Sequence, residues 1–315
     1  MMKIPSDGDS FSVFDNLVEV RLHGCKWCEE LPKLAHLCRL KVLLMHGMDR
    51  IRCIGNEFYG IDDGSTSNGV RPFPALKDLY FGSMKSLVEW KAPPVDEGGE
   101  TVVFSCLEIS IGGCSKLTCL PNGPNSFTSL ETLNIFRCEA LTSVPEYLSE
   151  LHSLTRLEII VSKYEFFSGE NIRRLHPIEV FKHRWFSEEL DSFPYLNSIQ
   201  DLPSLEILYI FGDIGGRIKS LPDHLQHLTA LNSLTIVHFN GIEVLPEWFG
   251  NLSPLKSLTL WDCENLKYLP TATAMQRLYN LTKLRIFGCP FLWGKCAKGS
   301  GSEWSKISHL PNKYT

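Results

Sequence analysis

The sequence predicts an α/β solenoid, in which about ten or eleven copies of one short unit stack side by side. Three observations lead to this prediction. Apolar residues recur in one frame with a period of roughly 24 residues. A short alternating apolar segment opens each copy, and Leu-Pro or a similar pair closes many of them. The chain of 315 residues is 43% hydrophobic and 21% charged, a globular composition that excludes a chain disordered throughout.

The repeating frame is clearest in the segment LPEWFGNLSPLKSLTLWDCENLKYLP at positions 245–270. Its anchors follow the spacing LxxLxLxxCxxLxxLP, with Leu255 at the first anchor, Cys263 at the fourth and Pro270 at the end. The third anchor of each copy falls at positions 22, 45, 81, 111, 135, 159, 210, 236, 260 and 286. A pattern of this kind with a period of about 20–29 residues is the signature of leucine-rich repeats. The expected fold is a leucine-rich-repeat horseshoe, with a parallel β-sheet on its concave side and short helical or irregular turns on its convex side.

Each part of the unit has a physical reason. The LxL segment alternates with the period of two that places both leucines on one face of a strand. The residue three positions later lies in the turn after the strand, where Cys263 is small, tolerates burial and has a weak S–H donor for backbone groups. The proline fixes φ and ends local pairing. Leucines spaced by three, as at 225, 228 and 231, suit a short 3₁₀ turn on the convex side.

We expect a single leucine-rich-repeat domain over residues 1–315, with interruptions and a cap. Two turn-rich acidic segments lengthen the step between neighbouring strands, and we interpret 60–71 and 92–100 as inserted loops. Segment 162–200 lies within a step of about two periods and is expected to hold a degenerate repeat. Residues 293–315 contain apolar residues spaced by three and are expected to form a C-terminal cap.

The repeat pattern starts almost directly with a strand. No polar cap precedes Leu17, although solenoids normally shield their terminal repeats. We therefore expect that the native protein continues N-terminally or that the gene model is truncated.

The charge and the cysteines restrict the function classes. A formal net charge of −5 and a pI near 6.1 provide no general attraction for nucleic acid or anionic membranes. No apolar run approaches the length that spans a bilayer, and the first residues do not have the charged start and apolar stretch of a secretion signal. The 11 cysteines without such a signal indicate reduced thiols, and hence a cytoplasmic or nuclear protein.

The side chains that flank the leucines of each strand are predicted to point outward on the concave face, where solenoids generally bind their partners. One position after the third anchor, an aromatic or aliphatic residue recurs: Phe136, Ile160, Phe211, Val237, Trp261 and Phe287. Exposed aromatic residues in a row favour a protein-binding stripe. The alternative is that these side chains pack on one another, on an insertion or on a missing N-terminal domain.

Charged residues form a second layer on the same predicted face. Arg137 with Arg156, and Lys283 with Arg285, are candidates for setting partner specificity through charge complementarity. The alternative interpretation is a solvated face. The other charged residues of this layer are Glu19, Arg21, Glu108, Glu158 and Asp262.

No catalytic, metal or cofactor site is predicted. Cys25 and Cys28 form a CxxC pair, but both fall on repeat anchors and no second ligand pair accompanies them, so a core role is favoured over zinc or redox chemistry. Hydrolytic catalysis needs a nucleophile, a base and an orienting group in one pocket, and no local motif indicates such a set. The prediction is therefore a non-enzymatic binding module.

Several segments match a known family beyond generic leucine spacing. They include GMDRIRCIGNEFYG at 47–60, FPALKDLYFGSMKSLVEW at 73–90, LTLWDCENLKYLP at 258–270 and WSKISHLP at 304–311. With these segments the chain resembles the leucine-rich-repeat region of plant intracellular disease resistance proteins of the coiled-coil, nucleotide-binding class. The resemblance covers essentially the whole chain and is poorest at 162–200.

The resemblance implies a defence role, in which the repeats sense a pathogen effector or a guarded host protein. In a full-length receptor they would also contact its nucleotide-binding domain, and the family implies neither nucleic-acid binding nor a membrane span. The family has a phosphate-binding GxxxxGK motif followed by Ser or Thr, which this sequence does not contain. Nucleotide binding, a coiled coil and cell-death signalling are therefore not transferred to this chain.

Two other interpretations stay open at this point. One is an extracellular leucine-rich-repeat inhibitor or receptor ectodomain, which usually has LxGxIP-type repeats and paired cap cysteines that this sequence does not show. The other is the repeat part of a ubiquitin-ligase substrate adaptor, which needs an adaptor-binding helical motif that the N-terminal residues do not show. Titration of the thiols separates the first from the leading interpretation, because a secreted protein would have most of its cysteines blocked.

Overall fold

The computed structural model describes residues 14–61, 72–92, 106–121, 127, 129–141, 148, 150–160, 178–184, 202–212 and 214–314. The expected inserted loops at 60–71 and 92–100 lie almost entirely outside these residues, as does most of the expected degenerate repeat at 162–200. The chain divides into two compact units, Met1–Val161 and Ser162–Thr315, and each is described by itself. The single domain over 1–315 stays a prediction.

The first unit is built around a parallel sheet, because its LxL segments alternate between buried and outward positions. Its described strands are β1 (Glu19–His23), β2 (Val42–His46), β3 (Cys53–Ile54), β4 (Asp78–Gly82), β5 (Glu89–Trp90), β6 (Glu108–Gly112), β7 (Thr132–Phe136) and β8 (Arg156–Ile160). The short strands β3 and β5 pair with each other, and the rest form the main sheet in chain order. A 3₁₀ turn at Asn56–Tyr59 follows β3.

The second unit repeats the same design with short helices between the strands. Its described strands are β9 (Val180–Arg184), β10 (Ile207–Phe211), β11 (Ser233–Val237), β12 (Ser257–Trp261), β13 (Lys283–Phe287) and β14 (Asn312–Tyr314), paired in parallel and in chain order. The connections contain 3₁₀ turns at Asp223–His227 and Glu247–Asn251, and the helices α1 (Ala272–Arg277), α2 (Pro290–Lys295) and α3 (Trp304–Ile307). The N-caps of both 3₁₀ turns are prolines, Pro222 and Pro246, as the Leu-Pro pairs indicate.

Neighbouring strands pair residue by residue without a shift, so equivalent positions stack. In the second unit Leu208, Leu234, Leu258 and Leu284 lie side by side in register, and all four are buried. The same position in the first unit is occupied by Leu43, Leu79, Ile109, Leu133 and Leu157, which are also buried. Each copy thus covers the apolar side chains of the next, which no single copy could bury alone. This arrangement confirms the predicted leucine-rich-repeat fold.

The residue directly after most strands has a left-handed backbone conformation. Its N–H donates to the carbonyl at the end of the next strand, as from Gly113 to Phe136 (2.9 Å) and from Asp262 to Phe287 (2.8 Å). The residues with positive φ at this position are Gly24, Gly47, Ser83, Gly113, Arg137, His238, Asp262 and Gly288. The turn therefore extends the hydrogen-bond ladder by one bond beyond the strand.

The turn residue that follows has its side chain in the core. Cys263 is fully buried, and its thiol donates to the carbonyls of Ile236 (3.8 Å) and Trp261 (3.6 Å). A thiol hydrogen bond with Cys289 and burial raise the pKa of Cys263, so the group stays protonated as a donor. The prediction of a structural turn residue for Cys263 is confirmed.

The C-terminal residues pack against the last turns of the second unit. Strand β14 pairs with β13, and Ile307 and Leu310 are buried. The carboxylate of Glu303 is buried and accepts from the backbone N–H of Leu269 (2.9 Å) and from Nζ of Lys306 (2.7 Å). The role of 293–315 as a cap stays a prediction, and these contacts support it.

Candidate partner-binding face

The residues at the first, third and fifth positions of the five-residue strands point away from the leucine core. We call the surface that they form in each unit the open face. The second and fourth positions alternate with them and are buried in the strands from β2 onward whose side chains are described. The predicted partner-binding residues lie on this face or directly beside it.

In the second unit the fifth positions form one continuous line. We call Phe211, Val237, Trp261 and Phe287 the aromatic ridge, because they are register partners on β10 to β13. The Trp261 and Phe287 rings are 5.6 Å apart at their centroids and tilted by 55°. Trp261 is 50% exposed and Phe287 is 40% exposed, whereas Val237 is only 9% exposed between its neighbours. The accessible apolar surface of the ridge is therefore concentrated at its Trp261–Phe287 end.

In the first unit, aromatic rings also form a line near the fifth positions of the strands. One of them, Tyr80, belongs to a third position. His23 and His46 are 5.8 Å apart, and His46 stacks on Tyr80 at 6.4 Å. Tyr80 lies 6.4 Å from Phe136. Of these four residues, only Phe136 was predicted from the sequence.

Two glycines explain how Tyr80 and Phe136 reach this line. Gly82 and Gly112 stand at the fifth positions of β4 and β6, where a Cβ atom would overlap the Tyr80 ring and the Phe136 ring respectively. Each ring therefore lies over a glycine. The sequence contains a signal for each ring. Tyr80 stands two positions before Gly82 on the same strand, and Phe136 stands at the register position of Gly112 on the next strand.

The predicted arginine pair of the first unit is not brought together. Arg156 is at the first position of β8 and is the register partner of Thr132, whereas Arg137 follows the end of β7. Five residues along a strand span about 16 Å, so the two side chains lie at opposite ends of the neighbouring strands β7 and β8. Arg137 is exposed and has a left-handed backbone with φ of 53°.

The two cationic residues predicted in the second unit lie near each other on the open face. Lys283 and Arg285 are two residues apart on β13, next to Ser257 and Thr259 of β12. Phe287 is two residues further along the same strand. A cationic segment therefore lies at the amino end of β13 and the aromatic ridge at its carboxyl end.

All cysteines lie within the described residues, and all are free thiols. Cys25 and Cys28 are half-buried, and the thiol of Cys25 donates to the carbonyl of His23 at 3.8 Å. Over the part of the chain that the structure describes, no group of three or more His, Cys, Asp or Glu side chains could hold a metal ion. In that same part, no helix is long and apolar enough to cross a bilayer.

The chain is similar in sequence to known proteins with leucine-rich repeats. Residues 217–289 match the family model described as R13L1/DRL21 LRRs. The chain is 26% identical over 279 residues to the putative disease resistance RPP13-like protein 1 of Arabidopsis thaliana, covering 89% of this chain and 21% of that protein. It is 28% identical over 274 residues to the TMV resistance protein N of Nicotiana glutinosa, covering 82% of this chain and 23% of that protein.

The chain thus spans about a fifth of the length of the curated relatives that it matches. Among solved structures, the leucine-rich repeat domain of the type III effector XCV3220 (XopL) is similar, with a TM-score of 0.49 and 19% identity over 85% of this chain and 76% of that chain. The sequence matches confirm the resemblance to the leucine-rich repeats of plant disease resistance proteins.

Proposed function

Because the chain carries leucine-rich repeats similar to those of plant disease resistance proteins, we propose that it is a non-enzymatic module that recognises a protein partner in plant defence. The proposed partner is a pathogen effector or a host protein that such an effector attacks. In a longer receptor, the nucleotide-binding domain of the same chain is a second partner. The observation that carries the proposal is the half-exposed Trp261–Phe287 pair on the open face.

The exposure of the Trp261 and Phe287 rings to water has a free-energy cost. Two large rings in contact with each other and with water form an apolar patch whose burial by a partner is favourable. Trp is also among the residues that contribute most to binding at protein interfaces. Lys283 and Arg285 on the same strand provide the charge that orients a partner.

The proposal places the protein in the cytoplasm or the nucleus. Free cysteines are typical of a reducing compartment, and the paired cap cysteines of secreted repeat proteins are not among the cysteines here. The extracellular inhibitor or receptor ectodomain is the second candidate, and oxidised cysteines in protein purified from plant tissue would favour it.

The test measures the affinity of a verified partner, found by screening pathogen effectors and a receptor nucleotide-binding domain. We expect Trp261→Ala to raise the Kd at least about 30-fold, because a central Trp commonly contributes 2 kcal/mol or more. Phe211→Ala, on the half-buried part of the ridge, should raise it by a smaller factor. The matched control is Tyr279→Ala, since Tyr279 is 75% exposed but is not on a strand.

The control separates the open face from exposed aromatic surface in general. Tyr279→Ala should leave the Kd within about twofold of the wild type, which is the usual size for a residue outside an interface. Circular dichroism and thermal unfolding confirm that each variant is folded. If folded Trp261→Ala and Phe211→Ala proteins bind with unchanged Kd, the aromatic ridge is not the binding site.

A further inference from the structure

We propose that a pocket beside the aromatic ridge binds an arginine side chain of the protein partner. The pocket has a volume of about 530 Å³ and lies at the carboxyl ends of β12 and β13. Its functional groups are the carboxylates of Asp262 and Glu264, the amide of Asn265 and the rings of Phe291 and Trp293. This inference rests on the proposed function, because the arginine belongs to a partner that docks on the open face.

The lining combines two kinds of group that both favour a cation. Asp262 and Glu264 provide two negative charges, and no Lys or Arg is among the described residues that line the pocket. Phe291 is 52% exposed and Trp293 is 46% exposed, so both rings offer surface to a partner cation, although Lys267 Nζ already lies 5.9 Å from the centroid of Phe291. Guanidinium is planar, offers several N–H donors in one fork and stacks on aromatic rings. It therefore fits this mixed lining better than the compact ammonium group of lysine.

The position of the Asp262 carboxylate is fixed before any partner arrives. Asp262 has a left-handed backbone with φ of 51°, and its N–H donates to the carbonyl of Phe287 at 2.8 Å. Its side chain lies over Gly288, where a Cβ atom would overlap the carboxylate. The space that the carboxylate occupies therefore exists only because residue 288 is a glycine.

The backbone that carries Glu264 and Asn265 is held by the preceding repeat. Asn240 is buried, accepts from the N–H of Glu264 at 3.1 Å through its side chain, and accepts from Nδ2 of Asn265 at 2.7 Å through its carbonyl. The acidic side of the pocket is thus attached to the repeat core. A fixed acceptor set reduces the conformational entropy that the pocket itself loses on binding.

Two lysines and one histidine lie near this pocket, and none of them forms a hydrogen bond with Asp262. Lys267 Nζ is 5.9 Å from the centroid of the Phe291 ring and pairs with Glu243 at 3.0 Å. Lys295 Nζ lies over the Tyr268 ring at 3.6 Å. His238 Nδ1 is 3.9 Å from Asp262 Oδ2, beyond hydrogen-bond distance. The carboxylate of Asp262 can therefore accept from an incoming guanidinium.

The experiment titrates the whole chain with three capped dipeptides that share a tryptophan and differ in one residue: arginine, lysine or citrulline. Citrulline has the shape of arginine without its charge. We expect saturable NMR shifts of the Gly288 amide and the Trp293 indole N–H with the arginine peptide, and at least about tenfold weaker binding of the citrulline peptide.

The test variants are Asp262→Asn and Glu264→Gln, which keep the shape and remove one charge each. Asn tolerates the left-handed backbone at 262, so the fold is retained. Each variant should weaken binding of the arginine peptide several-fold, and the double variant about tenfold or more, since each removes a charge-assisted contact. Glu139→Gln, at the equivalent turn position after Cys138 in the first unit, is exposed and lies outside the pocket. It is the matched control and should bind the arginine peptide like the wild type.

Several results would overturn the inference. Equal binding of the arginine and citrulline peptides would show that the charge of the guanidinium does not contribute to binding. Equal binding of the arginine and lysine peptides would show that the pocket is not specific for arginine. Unchanged binding by the double variant, or no saturable shift with any peptide, would exclude the pocket itself. These results are distinct from failure of the proposed function, because Trp261→Ala tests the ridge against a whole partner and the peptides test the pocket directly.

Discussion

At the residue scale, the position directly after each strand is the most constrained position of the repeat. After most strands it has positive φ and its N–H donates to the neighbouring carbonyl, a conformation that glycine adopts without a steric penalty. Arg137, His238 and Asp262 adopt the same conformation with a Cβ atom, which has a cost. The proposed arginine site therefore uses Asp262 at a position where a Cβ atom has a conformational cost.

This constraint leads to a prediction for Gly113. Gly113→Ala should lower the free energy of unfolding by about 1–2 kcal/mol, because a Cβ atom is strained at φ of +65° while its surroundings leave ordinary contact distances. The measurement is the urea midpoint at constant slope.

The matched control for this prediction is Gly294→Ala. Gly294 lies within α2 without positive φ, and a Cβ atom there would contact nothing within 4 Å. This change should be neutral or stabilise by up to about 1 kcal/mol, since Ala favours a helix over Gly. Equal effects of the two substitutions would show that the turn conformation carries no strain.

At the element scale, the strands could be predicted from the sequence because apolar residues two positions apart, repeated in the same frame, place both side chains on one face of a strand. Every predicted third anchor, from Leu22 to Ile286, lies at the fourth position of an observed strand. Strand β9 lies within the degenerate repeat expected at 162–200, but its position could not be predicted because His183 stands at the register position where β10 has Ile210. The short pair β3 and β5 was missed because two residues are too few for a period to show.

The candidate site was predicted less completely than the strands. Phe211, Trp261 and Phe287 could be placed because an outward residue next to a leucine is fixed by the alternation of the strand. The contributions of His46 and Tyr80 required the structure, because ring packing over a glycine depends on rotamers and on the neighbouring strand. The pocket at Asp262 and Trp293 required it too, since the two residues belong to different elements.

The C-terminal element provides a prediction about a buried charge. Glu303→Ala should lower the free energy of unfolding by about 3–5 kcal/mol, because it removes the counter-charge of Lys306 and the acceptor of the Leu269 N–H, and Lys306 keeps only the carbonyl of Leu269 at 3.2 Å. Thermal and urea unfolding of the variant measure the loss.

Glu243→Ala is the comparison for this prediction, since Glu243 forms an exposed ion pair with Lys267. Its removal should cost less than about 1 kcal/mol. Glu303→Gln keeps an acceptor for Leu269 and should fall between the two. If Glu303→Ala costs no more than Glu243→Ala, α3 is not anchored through this carboxylate.

At the scale of the whole molecule, the thiols report on both the fold and the compartment. Six of the cysteines are buried: Cys106, Cys114, Cys138, Cys263, Cys289 and Cys296. Burial raises the pKa of Cys296 to about 12 and raises the pKa of Cys106 further, so neither thiol is ionised at neutral pH. Cys38 and Cys119 are exposed on the surface.

This distribution predicts the outcome of a thiol titration. Protein purified from plant tissue without reductant and then denatured should show all 11 thiols of the sequence. In the native protein at pH 8, an aromatic disulfide reagent should modify Cys38 and Cys119 rapidly, while the six buried thiols react only at the rate of unfolding. Mass spectrometry of peptides identifies the modified positions. A denatured protein with most thiols missing would favour the secreted alternative.

The repeated turn has a consequence for how this protein can change over generations. Because most of the described strands end in the same bonded turn and neighbouring strands pair without a shift, one copy can be duplicated or lost and the flanking copies still match. Mutations at the outward strand positions alter the surface without touching the leucines. A gene of this design can therefore acquire a new target by small steps while its product continues to fold.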